Sequence, residues 1–234
     1  VTASRCCQPI SSTSAPPVRY HHKDLGIVDP GRYLNMLEET KLSHYLDLHV
    51  FEEVCKTLHK WEVRDIPMIP VSVNFAGATL RQEGLADKML HLIEKHHVRC
   101  EYLEVEVSES SSDMNQEMLA ETSSKIRKGN VRVILDHFGA KDSSFSILSL
   151  MEFDGLKLDK SVISNIVGNG RSRIVAQAVI DICRQLGASV QAAGVETQDQ
   201  FNVLREIGCD YAQGTLFNKP ITIETFEVRY LRDR

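Results

Sequence analysis

Apolar residues in this chain gather in short runs of strand length, separated by longer stretches in which they recur every three or four positions. The short runs predict buried strands at residues 69–74, 103–107, 132–136, 155–158, 189–193 and 211–215, with weaker candidates at 7–10 and 18–20. Between them Phe51, Val54, Cys55 and Leu58 share one helical face, as do Val175, Val179, Ile182 and Leu186. Gly129, Gly187 and Gly208 follow helical segments where a left-handed C-terminal residue is expected. Eight strands alternating with amphipathic helices predict an α/β fold of parallel strands, a TIM-like (β/α)8 barrel, behind an irregular Ser/Pro-rich start that runs through Pro17. At 234 residues and 42% hydrophobic content the chain can bury one large core, so residues 1–234 are expected to form a single domain.

Composition narrows the function. A net charge of −5 with scattered basic residues leaves no footprint for nucleic acid. Cys6, Cys7, Cys55, Cys100, Cys183 and Cys209 lack metal-type spacing and read as reduced thiols of a cytoplasmic domain. No apolar run approaches the roughly 20 residues needed to span a bilayer, which leaves open an anchor elsewhere in a parent protein. His21-His22 and His96-His97 read as exposed loop and helix-end residues, and Lys125, Arg127 and Lys128 as a helix C-terminus complementing its dipole.

A barrel places its chemistry at the carboxyl ends of its strands. There the runs carry Asn74, Glu106, Asp136, Lys157 and Gln213. One Asp after a strand is commonly a helix cap, but polar residues closing successive strands suggest a shared site. Amide and carboxylate oxygens are hard ligands for Mg²⁺, Mn²⁺ or Ca²⁺, and an ammonium beside them can stabilise phosphate oxygens. A phosphate-ester ligand is expected.

The same residues carry a family resemblance. Gln8-Pro9-Ile10, Val73-Asn74-Phe75, Glu106-Val107-Ser108-Glu109-Ser110, Asp136-His137-Phe138-Gly139, Leu156-Lys157-Leu158-Asp159, Ala193-Gly194-Val195-Glu196-Thr197 and Gln213-Gly214 with Phe217 and Pro220 resemble, in order, the motifs of the EAL domain. That barrel family hydrolyses the bacterial second messenger cyclic di-GMP. The resemblance implies metal ligation by Asn74, Glu106 and Asp136, a catalytic-site Lys157, and ligand contacts from Gln8, Arg19, Asp136, Lys157, Gln213 and Phe217. It also implies anchoring roles for Glu109 and Glu196.

Three acidic positions depart from the family pattern. Ala15-Pro16-Pro17-Val18-Arg19 stands where the namesake Glu is expected, and no Asp or Glu precedes Asp24; His137 replaces the second Asp of D-D-F-G; Ala193 replaces a Glu expected to assist the attacking water. Two divalent cations bring four positive charges against the two negative charges of Glu106 and Asp136, so two-metal hydrolysis is expected to fail and Lys157 to be catalytically vestigial. No cofactor is then required. A weakly held Mg²⁺ or Mn²⁺ on Asn74, Glu106 and Asp136 is the alternative, with His137 either a nitrogen ligand suited to Zn²⁺ or Mn²⁺ or simply solvent-facing.

The resemblance implies a degenerate domain of cyclic di-GMP signalling, one segment of a larger signalling protein, acting as a receptor for the nucleotide. It leaves open a nucleotide-independent scaffold for other signalling proteins, favoured by Pro16-Pro17, and residual phosphodiesterase activity. Homodimerisation through the loop after Asp136 is a further family expectation.

Overall fold

Runs rich in Val, Ile and Leu form parallel strands because a sheet covered by helices buries nearly every side chain they carry. The computed structural model describes residues 37, 40, 42–108, 116–140, 144–218 and 221–231, together with the backbone of 13–14, 20–22 and 26–28. In chain order these give β1 (Thr13–Ser14), β2 (Tyr20–His22), β3 (Gly26–Val28), α1 (Ser43–Val63), β4 (Val71–Asn74), α2 (Gly77–Leu80), α3 (Leu85–Lys95) and a 3-10 turn at Cys100–Tyr102. There follow β5 (Leu103–Ser108), α4 (Gln116–Lys128), β6 (Arg132–Phe138), α5 (Ile147–Leu150), β7 (Gly155–Leu158), α6 (Lys160–Ile163) and α7 (Gly170–Gln185). The chain continues through β8 (Ser189–Ala193), α8 (Gln198–Glu206), β9 (Tyr211–Gln213), α9 (Ile223–Phe226) and a π-helical turn at Glu227–Leu231.

Strands β1, β4, β5, β6, β7, β8 and β9 pair in that order, each pair parallel, while β2 and β3 form an antiparallel hairpin. Ile69 and Pro70 beside β4 and Tyr211 on β9 line one cavity of about 230 Å³, together with Glu104, Arg132 and Gln191. Only a curled sheet brings such distant strands to a common space, and the architecture is the TIM-like barrel expected from the sequence.

The element bounds show what the apolar pattern misses. Strand β4 starts at Val71 because Pro70 has no N–H to give to a ladder, and β6 runs two residues past Asp136. Strand β9 ends at Gln213, where Gly214 passes so close to β8's exit that a Cβ would lie 2.0 Å from the Val195 carbonyl oxygen. Residues 7–10 and 18–19 lie outside the described residues, and Tyr20 belongs to the β2–β3 hairpin, not to a barrel strand.

Helix α1 buries Phe51, Val54, Cys55, Leu58 and Trp61, as its spacing predicts. Helix α7 is turned from the expected face: Ala176, Val179, Ile180 and Cys183 are buried, while Val175 and Leu186 are about half exposed. Small Ala176 and Cys183 let the helix lie closer to the sheet than a face of larger residues would. Gly187 and Gly208 have the expected left-handed φ of 76° and 78°. After α4 that role falls to Asn130 at φ 59°, and Gly129 instead makes room for Leu90, 2.7 Å from where its Cβ would sit.

At the amino ends of the strands, aspartates close the ladders: Asp154 accepts from the Val133 N–H at 2.9 Å and Asp210 from the Val190 N–H at 2.8 Å. Arg127 grips Asp154 with Nε and Nη2 at 3.1 and 3.0 Å, so it fastens α4 to the barrel as well as complementing a dipole. His96, expected to be exposed, is half-buried and pairs with Glu52 at 3.0 Å. Cys55, Cys183 and Cys209 are buried free thiols and Cys100 is half-buried; Cys6 and Cys7 lie outside the described residues. Burial pushes the Cys55 and Cys183 thiols up to about 12, so they are inert packing groups.

Candidate functional site

Side chains alternate across a strand, so every second residue of a barrel strand faces the interior. That period places Glu104 and Glu106 on the same face of β5, and both are buried. Glu106 Oε1 accepts from Ser72 Oγ on the neighbouring β4 and from Lys157 Nζ on β7, which lies one strand beyond β6. Glu106 is 1% and Lys157 4% exposed, so the pair is desolvated. A lysine between apolar residues of a barrel strand is costly without a partner, and the hydrogen-bonded partner of Lys157 is Glu106. Among the described residues Glu106 Oε2 is buried without a hydrogen-bond partner.

Asp136 and His137 sit where the β6–β7 pairing shifts register between Leu135 and Phe138. His137 adopts a φ of 58°, a left-handed conformation rare outside glycine, which folds its ring back toward the preceding residue. Asp136 Oδ1 accepts from the His137 backbone N–H at 2.7 Å, and Oδ2 lies 3.2 Å from His137 Nδ1. Burial pushes the Asp136 carboxyl up, but the His137 hydrogen bond and the nearby charges of Lys157 and His137 outweigh it, and the net shift is downward. The same hydrogen bond raises the His137 imidazole above its ordinary value, against some burial.

A second pair lies at the amino ends of the strands, where the partly exposed Arg132 donates through Nη1 to the buried Glu104. Burial raises the Glu104 carboxyl even though Arg132 opposes it. Between the two levels Gln191 Nε2 donates to Gln213 Oε1 at 3.0 Å. The interior is therefore polar along its length, a feature of Ser72, Glu104, Arg132 and Gln191 that the motif reading missed. The alternation Leu103-Glu104-Val105-Glu106 was the available signal.

The remaining expected residues are placed as follows. Asn74 is exposed at the end of β4, in register with Glu106. Gln213 ends β9, in register with Ala193. Phe217 is half-buried and packs edge-to-face on Phe201, ring centroids 5.4 Å apart. Glu196 is exposed; its backbone N–H, rather than its carboxylate, bonds Gln200 Oε1 at 2.8 Å. Asp159 caps α6 by accepting from the Ser161 N–H at 2.8 Å. Gln8, Arg19 and Glu109 lie outside the described residues.

These donors do not fit a two-metal centre. Mg²⁺ and Mn²⁺ want several unengaged oxygens, whereas Asp136 has both oxygens facing His137 and Glu106 has one given to Lys157 and Ser72. Among the described residues no group of three His, Cys, Asp or Glu side chains is arranged to hold a metal. The arrangement offers buried, paired charges and amides at the mouth of a barrel, suited to holding a polar ligand in one orientation. No described helix is long and apolar enough to cross a membrane.

Comparison with known proteins agrees with the motif reading. The EAL domain family pattern matches residues 16–220. The cyclic di-GMP phosphodiesterase NbdA of Pseudomonas aeruginosa is 30% identical over 210 residues, 90% of this chain and 27% of NbdA. The chain spans from 24% to 36% of the length of such curated relatives. Among solved structures, the PaMucR phosphodiesterase in complex with c-di-GMP superposes with a TM-score of 0.80 at 25% identity, covering 89% of this chain and 84% of the other. The FimX EAL domain from Pseudomonas aeruginosa bound to c-di-GMP gives a TM-score of 0.77 at 17% identity, over 86% and 81% of the two chains.

Proposed function

The chain belongs to the EAL domain family of cyclic di-GMP signalling, and on that footing we propose that it is a receptor module that holds cyclic di-GMP without cleaving it. The observation that carries this reading is the internal pairing of both surviving carboxylates, Glu106 with Lys157 and Ser72, and Asp136 with His137. Hydrolysis of a phosphodiester by two metals needs carboxylates free to clamp the ions and generate hydroxide, and His137 and Ala193 stand where the family pattern has carboxylates. Pairing and loss of acids both lower the negative charge facing a ligand that itself carries two phosphates.

Binding would use the strand-end crater, with Gln213 and its neighbour Gln191 offering amides to a base edge and Lys157 a cation below the phosphates. Gln8, Arg19 and Phe217 complete the proposed ligand-binding set, and Glu109 and Glu196 are proposed to steady the flanking loops. Support for the ligand comes from the PaMucR and FimX complexes, both with c-di-GMP.

Isothermal calorimetry with cyclic di-GMP, beside chromatography of the nucleotide after incubation with Mg²⁺ or Mn²⁺, tests both halves. Saturable heat with the nucleotide recovered intact is expected. Accumulating linear dinucleotide would make the domain a phosphodiesterase. Absence of heat would leave a protein-interaction scaffold.

A further inference from the structure

We infer that His137 is an internal latch on Asp136, occupying both carboxylate oxygens so that the site engages its ligand without a divalent cation. The two contacts come from one residue: the backbone N–H reaches Oδ1 at 2.7 Å and ring Nδ1 lies 3.2 Å from Oδ2. Only the left-handed φ of 58° and the adjacent break in the β6–β7 register let a side chain and its own amide face the preceding carboxylate together. Such a conformation is unfavourable for a non-glycine residue and persists where surrounding contacts hold it. Nδ1 can carry its hydrogen in either protonation state of the ring, so the latch does not depend on His137 being charged. Each contact engages one of the two lone pairs on its oxygen, and a metal would have to share the carboxylate with the ring and the amide. The carboxylate oxygen left over in this pair of acids is Glu106 Oε2, buried and without a hydrogen-bond partner among the described residues. With the amide of Asn74 it makes two ligands where Mg²⁺ or Mn²⁺ takes about six.

The metal half of this inference stands on geometry alone, and the ligand half rests on the receptor reading above. The test titrates Mn²⁺ alone into the wild-type chain, His137→Gly and His137→Asp, following loss of the free-ion EPR signal. Thermal melts check that each variant folds. Glycine suits the left-handed φ and removes the ring while keeping the backbone N–H and adding no ligand, so it isolates the ring's half of the latch; aspartate adds a carboxylate. The expected result is about a tenfold or larger gain in Mn²⁺ affinity for His137→Gly, and a greater gain for His137→Asp. Wild type binding Mn²⁺ as tightly as His137→Gly would overturn the latch.

Calorimetry with cyclic di-GMP in EDTA and in Mn²⁺ then reads the second half: equal affinity in both is expected for wild type. Binding that requires Mn²⁺ would overturn the inference. Absence of binding in either buffer would overturn the receptor reading and the ligand half with it, while the Mn²⁺ titration would still judge the latch.

Discussion

Replacing Lys157 with Met removes the cation from a pair whose members are 4% and 1% exposed, and leaves Glu106 a buried carboxylate whose remaining bond among the described residues is to Ser72. Breaking one half of a buried ion pair costs about 3–5 kcal/mol, because the remaining charge keeps its desolvation penalty and loses its attraction. For a chain of this size each kcal/mol shifts melting by about 2–4 °C, so a fall on the order of 6–20 °C is expected. Urea unfolding followed by fluorescence of the single tryptophan, Trp61, which is buried and donates to Glu227 at 2.8 Å, gives the free energy directly. The control is the double variant Lys157→Met with Glu106→Gln, which removes the orphaned charge. If the pair is the cause, the double variant is more stable than the sum of its single losses by about 1–3 kcal/mol. A Lys157→Met loss below about 1 kcal/mol, within the range of ordinary exposed pairs, would refute the reasoning, and so would strict additivity.

Two further outcomes are expected. Hydrogen bonds from Lys95 and His96 hold the Glu52 carboxyl at about 2. A depressed carboxylate stabilises the fold above its unfolded pKa and loses that contribution as pH falls through the folded one. The melting-temperature gap between wild type and Glu52→Gln should therefore stay constant near neutrality and narrow below the ordinary carboxylate range, toward about 2; a gap unchanged into strong acid would contradict the pairing. Gly214→Ala should destabilise by about 1–3 kcal/mol or more, since its Cβ would meet the Val195 carbonyl oxygen at 2.0 Å; chemical denaturation that detects no loss would show that β9's exit is not so closely packed.

The linear pattern determined the fold class, because strand-length apolar runs and helical stripes are local consequences of burial on a two-faced sheet. Six strands fall within two residues of their expected bounds, and α1 buries the predicted stripe. The ordered motifs likewise located the strand-end residues, since a barrel gathers at one rim whatever terminates its strands. What the sequence could not supply was the pairing of side chains between strands. That Lys157 meets Glu106, and that Glu104 finds Arg132, depends on strand order, register and inward alternation. The face of α7 that packs on the sheet, burying Ala176 and Cys183 and leaving Val175 and Leu186 half exposed, was likewise settled by tertiary packing. His137 shows the division most sharply: its substitution for an acid is legible in the chain, but that it turns back and occupies Asp136 is set by a backbone bend and a register shift that only the folded sheet creates.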